Sequence, residues 1–240
     1  MMRRRSTVLL ACVLTLAPFA AGAQMATAPP SPKPAPTAAP APNAAEAVFL
    51  KRVMTNLPKR YPNPSAATAA GWIRYTREDR TGAISYVNTK YWDTTDPDLP
   101  AQLWYDVNGR LIGADFSIPQ AESVTGPPNR FGIDPARWFK IPAHVHYVQR
   151  TANGTLAYGK ATSAARYAAA NNGDSSHPTA EGLVAAKAVT DAASVPFVFL
   201  YPAIYDVTVW VVPNPLGQFA DANPAVTPSP RAGKGEDDPM

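Results

Sequence analysis

The chain has 240 residues, 46% of them hydrophobic and 17% charged, with 27 prolines and a formal charge of +4 at neutral pH. Arg3, Arg4 and Arg5 supply three of those positive charges, and elsewhere Lys and Arg are mixed with acids, which excludes a basic nucleic-acid or anionic-lipid surface. Cys12 is the single cysteine, so a product lacking the leader has neither disulfides nor thiolate chemistry and must be stabilised by its core.

Residues 1–23 have the pattern of a signal peptide. The three arginines precede an apolar run, Ser6 to Phe19, and Ala21-Gly22-Ala23 supplies the small residues of a cleavage site. The chain is therefore expected to be exported, to the periplasm or beyond, with a mature start at Gln24. The apolar run is too short to span a bilayer, so no transmembrane anchor is expected. Leu9-Leu10-Ala11-Cys12 faintly resembles a lipoprotein box, but apolar sequence continues through Val13, Leu14 and Leu16. Residues 24–42 read as a Pro/Ala-rich disordered linker of polyproline type. A single domain is expected over 43–226, followed by a disordered tail over 227–240, where Pro, Gly and charge dominate.

The domain opens on a helix. Asn43 can cap it, and Glu46 completes a capping-box pattern. Val48, Phe49, Val53 and Leu57 supply an apolar face, and Pro58 is expected to stop the helix. A second short helix is predicted over Ser65 to Ala70. Strands follow at Ala83 to Asn88, Gln102 to Val107 and Arg110 to Ile118, the last two flanking the hairpin signal Asn108-Gly109. Ile112, Ala114, Phe116 and Ile118 alternate as a core face, which turns Asp115 and Ser117 the other way. A second hairpin joins Ile141 to Arg150 with Thr155 to Lys160 through Ala152-Asn153-Gly154. Helices are predicted over Ser163 to Ala170 and, capped by Thr179, over Ala180 to about Ala192. Val195 to Tyr201 and Tyr205 to Val212 read as two buried strands paired with each other. The fold class predicted is α+β: a mainly antiparallel, curved sheet or half-barrel with N-terminal and inserted helices.

His144-Val145-His146 is the sharpest chemical motif. Residues two apart on a strand share a face, so both imidazoles project together, as two ligands of a divalent metal ion would. Asp115 is the candidate third ligand, with His177 and Glu122 as alternatives. A cupin-like glutamate is absent, since Gln149 and Arg150 follow the pair. The bland alternative is that the two rings make structural hydrogen bonds within a polar sheet face. Among the aromatics, Trp72, Trp92, Trp138 and Trp210 read most simply as core, while Tyr86, Trp104, Tyr105 and Tyr147 are candidates to line a small-molecule pocket. A Ser-His-Asp triad would have to draw on Ser85, Ser117 or Asp115 with one of three histidines. Phosphate loops, the Gly-x-Ser-x-Gly elbow and CxxC are all absent. Asn153-Gly154-Thr155 fits a glycosylation acceptor but reads more simply as a turn.

Ser85-Tyr86-Val87-Asn88, Gln102-Leu103-Trp104-Tyr105-Asp106, Leu111-Ile112-Gly113-Ala114-Asp115-Phe116, Val207-Thr208-Val209-Trp210 and the segment from Asn214-Pro215-Leu216-Gly217-Gln218-Phe219 to Ala220-Asp221-Ala222-Asn223-Pro224 together resemble an uncharacterised family of secreted bacterial proteins with no established activity. The resemblance spans roughly Gly71 to Val226. It implies a metal shell on the sheet face, formed by a histidine at the position of Ser85, an acid at Asp115 and a histidine at Thr208. This chain keeps the acid, departs at the other two positions, and offers His144 and His146 instead. The functional expectation is a small-ligand or metal-binding sheet domain. A metal-dependent enzyme using the His-x-His pair and a non-catalytic envelope interaction module are the alternatives.

Overall fold

A computed structural model describes residues 37–120, 126–127 and 129–233. Residues 1–36, with Cys12 and the segments read from sequence as a signal peptide and most of the linker, Glu122, and the tail from residue 234 lie outside the described residues.

The first helix, α1 (Ala44–Arg60), begins with the expected capping box: the Asn43 side chain accepts the Glu46 N–H at 2.9 Å, and Glu46 Oε2 accepts the Asn43 N–H at 2.8 Å. Its buried stripe is Phe49, Leu50, Val53 and Leu57, whereas Val48 is 72% exposed and takes no part in it. Pro58 does not stop the helix. Leu57 and Tyr61, buried on either side of it, anchor the last turn, and the lost proline donor falls where few backbone bonds remain to be made. A short α2 (Pro64–Ala69) follows, capped by Asn63.

Nine strands make two antiparallel sheets among the described residues, not one curved sheet and not a closed barrel. The larger contains β1 (Ile73–Glu78), β2 (Ile84–Val87), β3 (Gln102–Tyr105), β4 (Leu111–Pro119), β5 (Phe139–Ile141) and β9 (Ile204–Trp210), in the order β1-β2-β3-β4-β9-β5. The smaller is β7 (Leu156–Ser163), β6 (His144–Arg150) and β8 (Phe197–Tyr201), in the order β7-β6-β8. The α+β, mainly antiparallel class holds. The expected pairing of β8 with β9 does not: β8 joins β6, and β9 lies between β4 and β5. The connector Pro202-Ala203 has no glycine or asparagine to form a hairpin turn, and it carries the chain from one sheet to the other.

The layers follow from side-chain alternation. One face of the large sheet, with Leu103, Tyr105, Ala114, Phe116, Val207 and Val209, packs on α1. The outer face of the small sheet, with Val145 and Tyr147, packs on α3 (Ala164–Ala170) and α4 (Ala180–Ala185) through Tyr167 and Leu183. The α4 helix ends well before residue 192, because Lys187 adopts φ 54° and the Ala188 N–H returns to the Leu183 carbonyl at 2.9 Å. The two inner faces meet each other through Tyr75, Val87, Ile141, Phe199, Tyr201 and Ile204. Because β4 is covered on both faces, Leu111 to Ile118 are all buried. Ile112 departs from the expected core face. The strand register slips between Trp104 and Tyr105, and Ile112 turns toward Trp210 instead of α1.

Both flanks extend beyond 43–226. The Ala39 N–H donates to the Leu216 carbonyl at 2.7 Å, and Arg137 Nη2 to the carbonyls of Pro40 and Ala41 at 3.0 and 3.2 Å. Residues 227–233, expected in the disordered tail, are held on Glu78: the Ser229 N–H donates to its carboxylate at 2.6 Å, and the Gly233 N–H to its carbonyl at 2.9 Å. Among the described residues, no helix is long and apolar enough to cross a membrane.

Candidate functional site

Where the two inner faces meet they form a partly open cavity of about 270 Å³. The register explains its composition. Gln102 on β3 lies beside Asp115 on β4, which lies beside Thr208 on β9, and Ser117 lies beside Asp206. Ser85 on β2 pairs with Trp104 on β3. Strand alternation thus turns a row of polar residues inward from the large sheet. The small sheet answers with His144 and His146 from β6 and Tyr201 from β8. Gln102 ties the sheets together, donating Nε2 to the Tyr201 hydroxyl at 2.8 Å while its Oε1 accepts the Tyr75 hydroxyl.

Two carboxyls are buried in this wall. Asp115 Oδ2 accepts Trp104 Nε1 at 2.7 Å, and Oδ1 accepts the Thr208 hydroxyl at 2.9 Å. Gly113 makes the first contact feasible: a Cβ there would stand 2.7 Å from Trp104 Cε3, so the indole can lie across β4 because that strand has no side chain at this point. Asp206 Oδ1 accepts the Ser117 hydroxyl at 2.7 Å. Burial pushes the Asp206 carboxyl up to about 7, against the Ser117 and Val207 hydrogen bonds that favour its ionised form. Burial also raises Asp115 well above the ordinary range, and the charge of Asp206 raises it further, so the two carboxyls titrate as a pair. Asp79 is a third carboxylate on the cavity wall, and none of the lining residues is Lys or Arg.

The imidazoles face each other, Nε2 to Nε2, at 2.9 Å. His144 Nδ1 lies 2.8 Å from the Pro142 carbonyl, which can only accept, so Nδ1 carries a hydrogen. One Nε2 therefore donates a hydrogen to the other across this contact. Burial, and then the neighbouring His144, push His146 down to about 3, which keeps it neutral. The rings are clamped by stacking, His144 on Tyr201 at 4.5 Å and His146 on Phe199 at 5.5 Å, with Tyr75 edge-on to His146 at 4.8 Å.

His144, His146 and Asp115 therefore line one cavity. They do not form a metal shell: among the described residues no three His, Cys, Asp or Glu side chains converge on one point. The Asp115 oxygens are engaged by Trp104 and Thr208, and the two Nε2 atoms by each other. His177 stands apart in a second depression with Trp92 and Phe199, its Nδ1 2.9 Å from the Ser176 hydroxyl. Nor does a triad assemble, since the Ser117 hydroxyl is committed to Asp206 and Asp115 has no imidazole partner.

Of the aromatic candidates, Trp104 alone lines the cavity. Tyr86 and Tyr105 face α1, and Tyr147 faces α3 and α4. Each is the chain neighbour of a lining residue (Ser85, Trp104, His146), and a one-residue step along a strand reverses the face. Asp206, Gln102, Tyr75 and Tyr201 belong to the site but were not picked out from sequence. Asp206 did carry a signal, being a lone acid in an otherwise apolar strand and two residues from Thr208. Scans of family models and searches of curated proteins and of solved structures find no match to this chain.

Proposed function

We propose that the protein is an exported binding protein that holds a small polar ligand in the cavity between its sheets. The observation that carries this reading is the lining itself. The interior of two packed sheets is ordinarily filled by apolar side chains, and burying polar groups costs free energy. Here Asp115, Asp206, His144, His146, Gln102 and Ser85 are all less than 9% exposed, yet they border open volume. The three positions singled out by the family resemblance, Ser85, Asp115 and Thr208, line this same cavity, which supports reading it as the site. A metal reading has one observation in its favour, the convergence of two Nε2 atoms. Against it stand the lack of a third converging ligand among the described residues and the hydrogen bonds that already occupy Asp115.

The test is a thermal-shift screen of the mature chain against small amines, sugars, carboxylates and divalent metal salts, run beside Ser85→Phe, which fills the cavity. A ligand that raises Tm in the parent but not in the variant supports the proposal. If nothing in the panel stabilises the parent, or if every hit stabilises the variant equally, the proposal fails.

A further inference from the structure

We infer that the ligand is a small organic cation, bearing an ammonium or guanidinium head that docks against Asp115 and Asp206. The inference rests on the reading of the cavity as a ligand site and adds its chemistry.

Charge is the first argument. The lining holds three acidic side chains, Asp79, Asp115 and Asp206, with no Lys or Arg among the lining residues, and a bound cation would favour the ionised form of the two buried carboxyls. Asp115 and Asp206 are diagonal neighbours on paired strands, at a spacing of about 7 Å that one head group can bridge. Each engaged Asp115 oxygen keeps a second lone pair for an incoming N–H. Hydrogen bonding is the second argument. Ser85 lines the cavity and is 8% exposed, yet its hydroxyl makes no hydrogen bond among the described residues. A hydroxyl left open to the cavity in this way is a ready partner for a ligand group. Shape and surface supply the third. A volume of about 270 Å³ is far larger than one metal ion, and it lies near the lower end of small-molecule sites, which run from about 300 Å³. Tyr75, Trp104 and Tyr201 border it, and aromatic faces attract organic cations. The imidazole pair, neutral at His146, sets no competing positive charge there.

The experiment is isothermal titration calorimetry of the mature chain with n-butylammonium and agmatine, against 1-butanol, butyrate, glucose and zinc chloride. The two cations should bind at least tenfold tighter than 1-butanol, weaken at least tenfold in Asp206→Asn, and lose binding in Ser85→Phe. Asn keeps the shape of Asp206 and the Ser117 contact; if that variant does not fold, the ammonium-against-alcohol comparison on the unaltered chain still decides. Cations no tighter than 1-butanol overturn the inference. If butyrate or glucose binds instead, and Ser85→Phe removes that binding, the cavity reading stands and the cation inference falls. Stoichiometric zinc lost in His144→Ala, with no amine binding, overturns the inference in favour of the metal reading. No binding by any probe removes both.

Discussion

Replacing Asp206 by Asn should make the ligand-free protein less sensitive to alkaline pH, with an effect large enough to measure. The Asp206 carboxyl is raised from 3.8 to about 7 by burial, so between those values the folded state holds a proton that the unfolded chain has released. Stability therefore falls as pH rises through that window, at most by about 1.4 kcal/mol per pH unit, or about 2 kcal/mol between pH 5 and pH 7. His146 acts in the opposite direction. Its folded value, about 3, lies below the usual 6.5, so stability is lost as pH falls from 6.5 toward 3. The two contributions overlap in the parent protein, and Asp115, Asp79, His144, Tyr75 and Tyr201 share the cavity. The difference between parent and variant isolates Asp206. Near pH 5 a protonated Asp206 and an Asn are similar neutral groups, so the two proteins should be close in stability. By pH 8 the variant should lead the parent by about 3 kcal/mol. Relief of the charge that raises Asp115 adds to this in the same sense. Urea unfolding at pH 5, 6, 7 and 8 reads the gap directly. Parallel profiles across that range would refute the reasoning, because they would mean that Asp206 ionises alike in the folded and unfolded chain.

Other substitutions test other links. Glu46→Gln should cost about 3 kcal/mol at neutral pH, because it removes the buried carboxylate that pairs with half-buried Arg137, whose Nε and Nη2 lie 2.8 and 3.1 Å from it; a loss under 1 kcal/mol in urea unfolding would place the pair's worth elsewhere. Burial alone would raise Glu46, but Arg137 and the N–H groups of Asp134 and Asn43 hold it below 4.5, so the Glu46 contribution should fade as pH falls below that value. Gly113→Ala should push Trp104 off Asp115, cost about 1–3 kcal/mol and alter tryptophan fluorescence; unchanged emission counts against the close approach. Phe49→Ala should cost about 3–5 kcal/mol and its neighbour Val48→Ala less than about 0.5 kcal/mol, and comparable losses would mean that the buried face of α1 is misassigned.

Local signals were read well from sequence and non-local ones were not. The capping box of Asn43 and Glu46, the hairpin at Asn108-Gly109 and the inward turn of Asp115 each depend on a few adjacent residues, and each appears in the structure. Pro58 was over-read, since a proline in the last turn of a helix meets packing from Leu57 and Tyr61 that local propensity does not include. The partner of β8 was invisible, because an apolar run such as Phe197 to Tyr201 announces burial but not which strand lies beside it. Of the four candidate pocket aromatics Trp104 lines the cavity, and the other three lie one residue along the strand from a lining position. Tyr86, Tyr105 and Tyr147 have the right chemistry on the wrong face, and nothing in an aromatic-rich strand says which face meets a helix and which meets a second sheet. Asp115 and Asp206 come together through the β4–β9 pairing, and both meet His144 and His146 through sheet stacking, so the site exists only once the layers have formed.

That layering also explains how a cavity lined by carboxyls and imidazoles can persist. Each sheet carries an apolar core on its outer face, one against α1 through Phe49, Val53, Leu57 and Phe116, the other against α3 and α4 through Val145, Tyr167 and Leu183. Those cores do not depend on what fills the space between the sheets. Between the sheets, Val87, Ile141, Phe199 and Ile204 form a further apolar patch beside the polar residues. The destabilisation of raised carboxyls, up to about 4 kcal/mol for Asp206 at neutral pH, is small beside the burial of two helix-backed cores, where a single large side chain is worth about 2–5 kcal/mol. Stability and recognition thus lie on opposite faces of the same strands. Substitutions on the inner face, such as Asp206→Asn, should therefore move ligand affinity and pH response while leaving the fold intact, and that separation is what makes the cavity open to test.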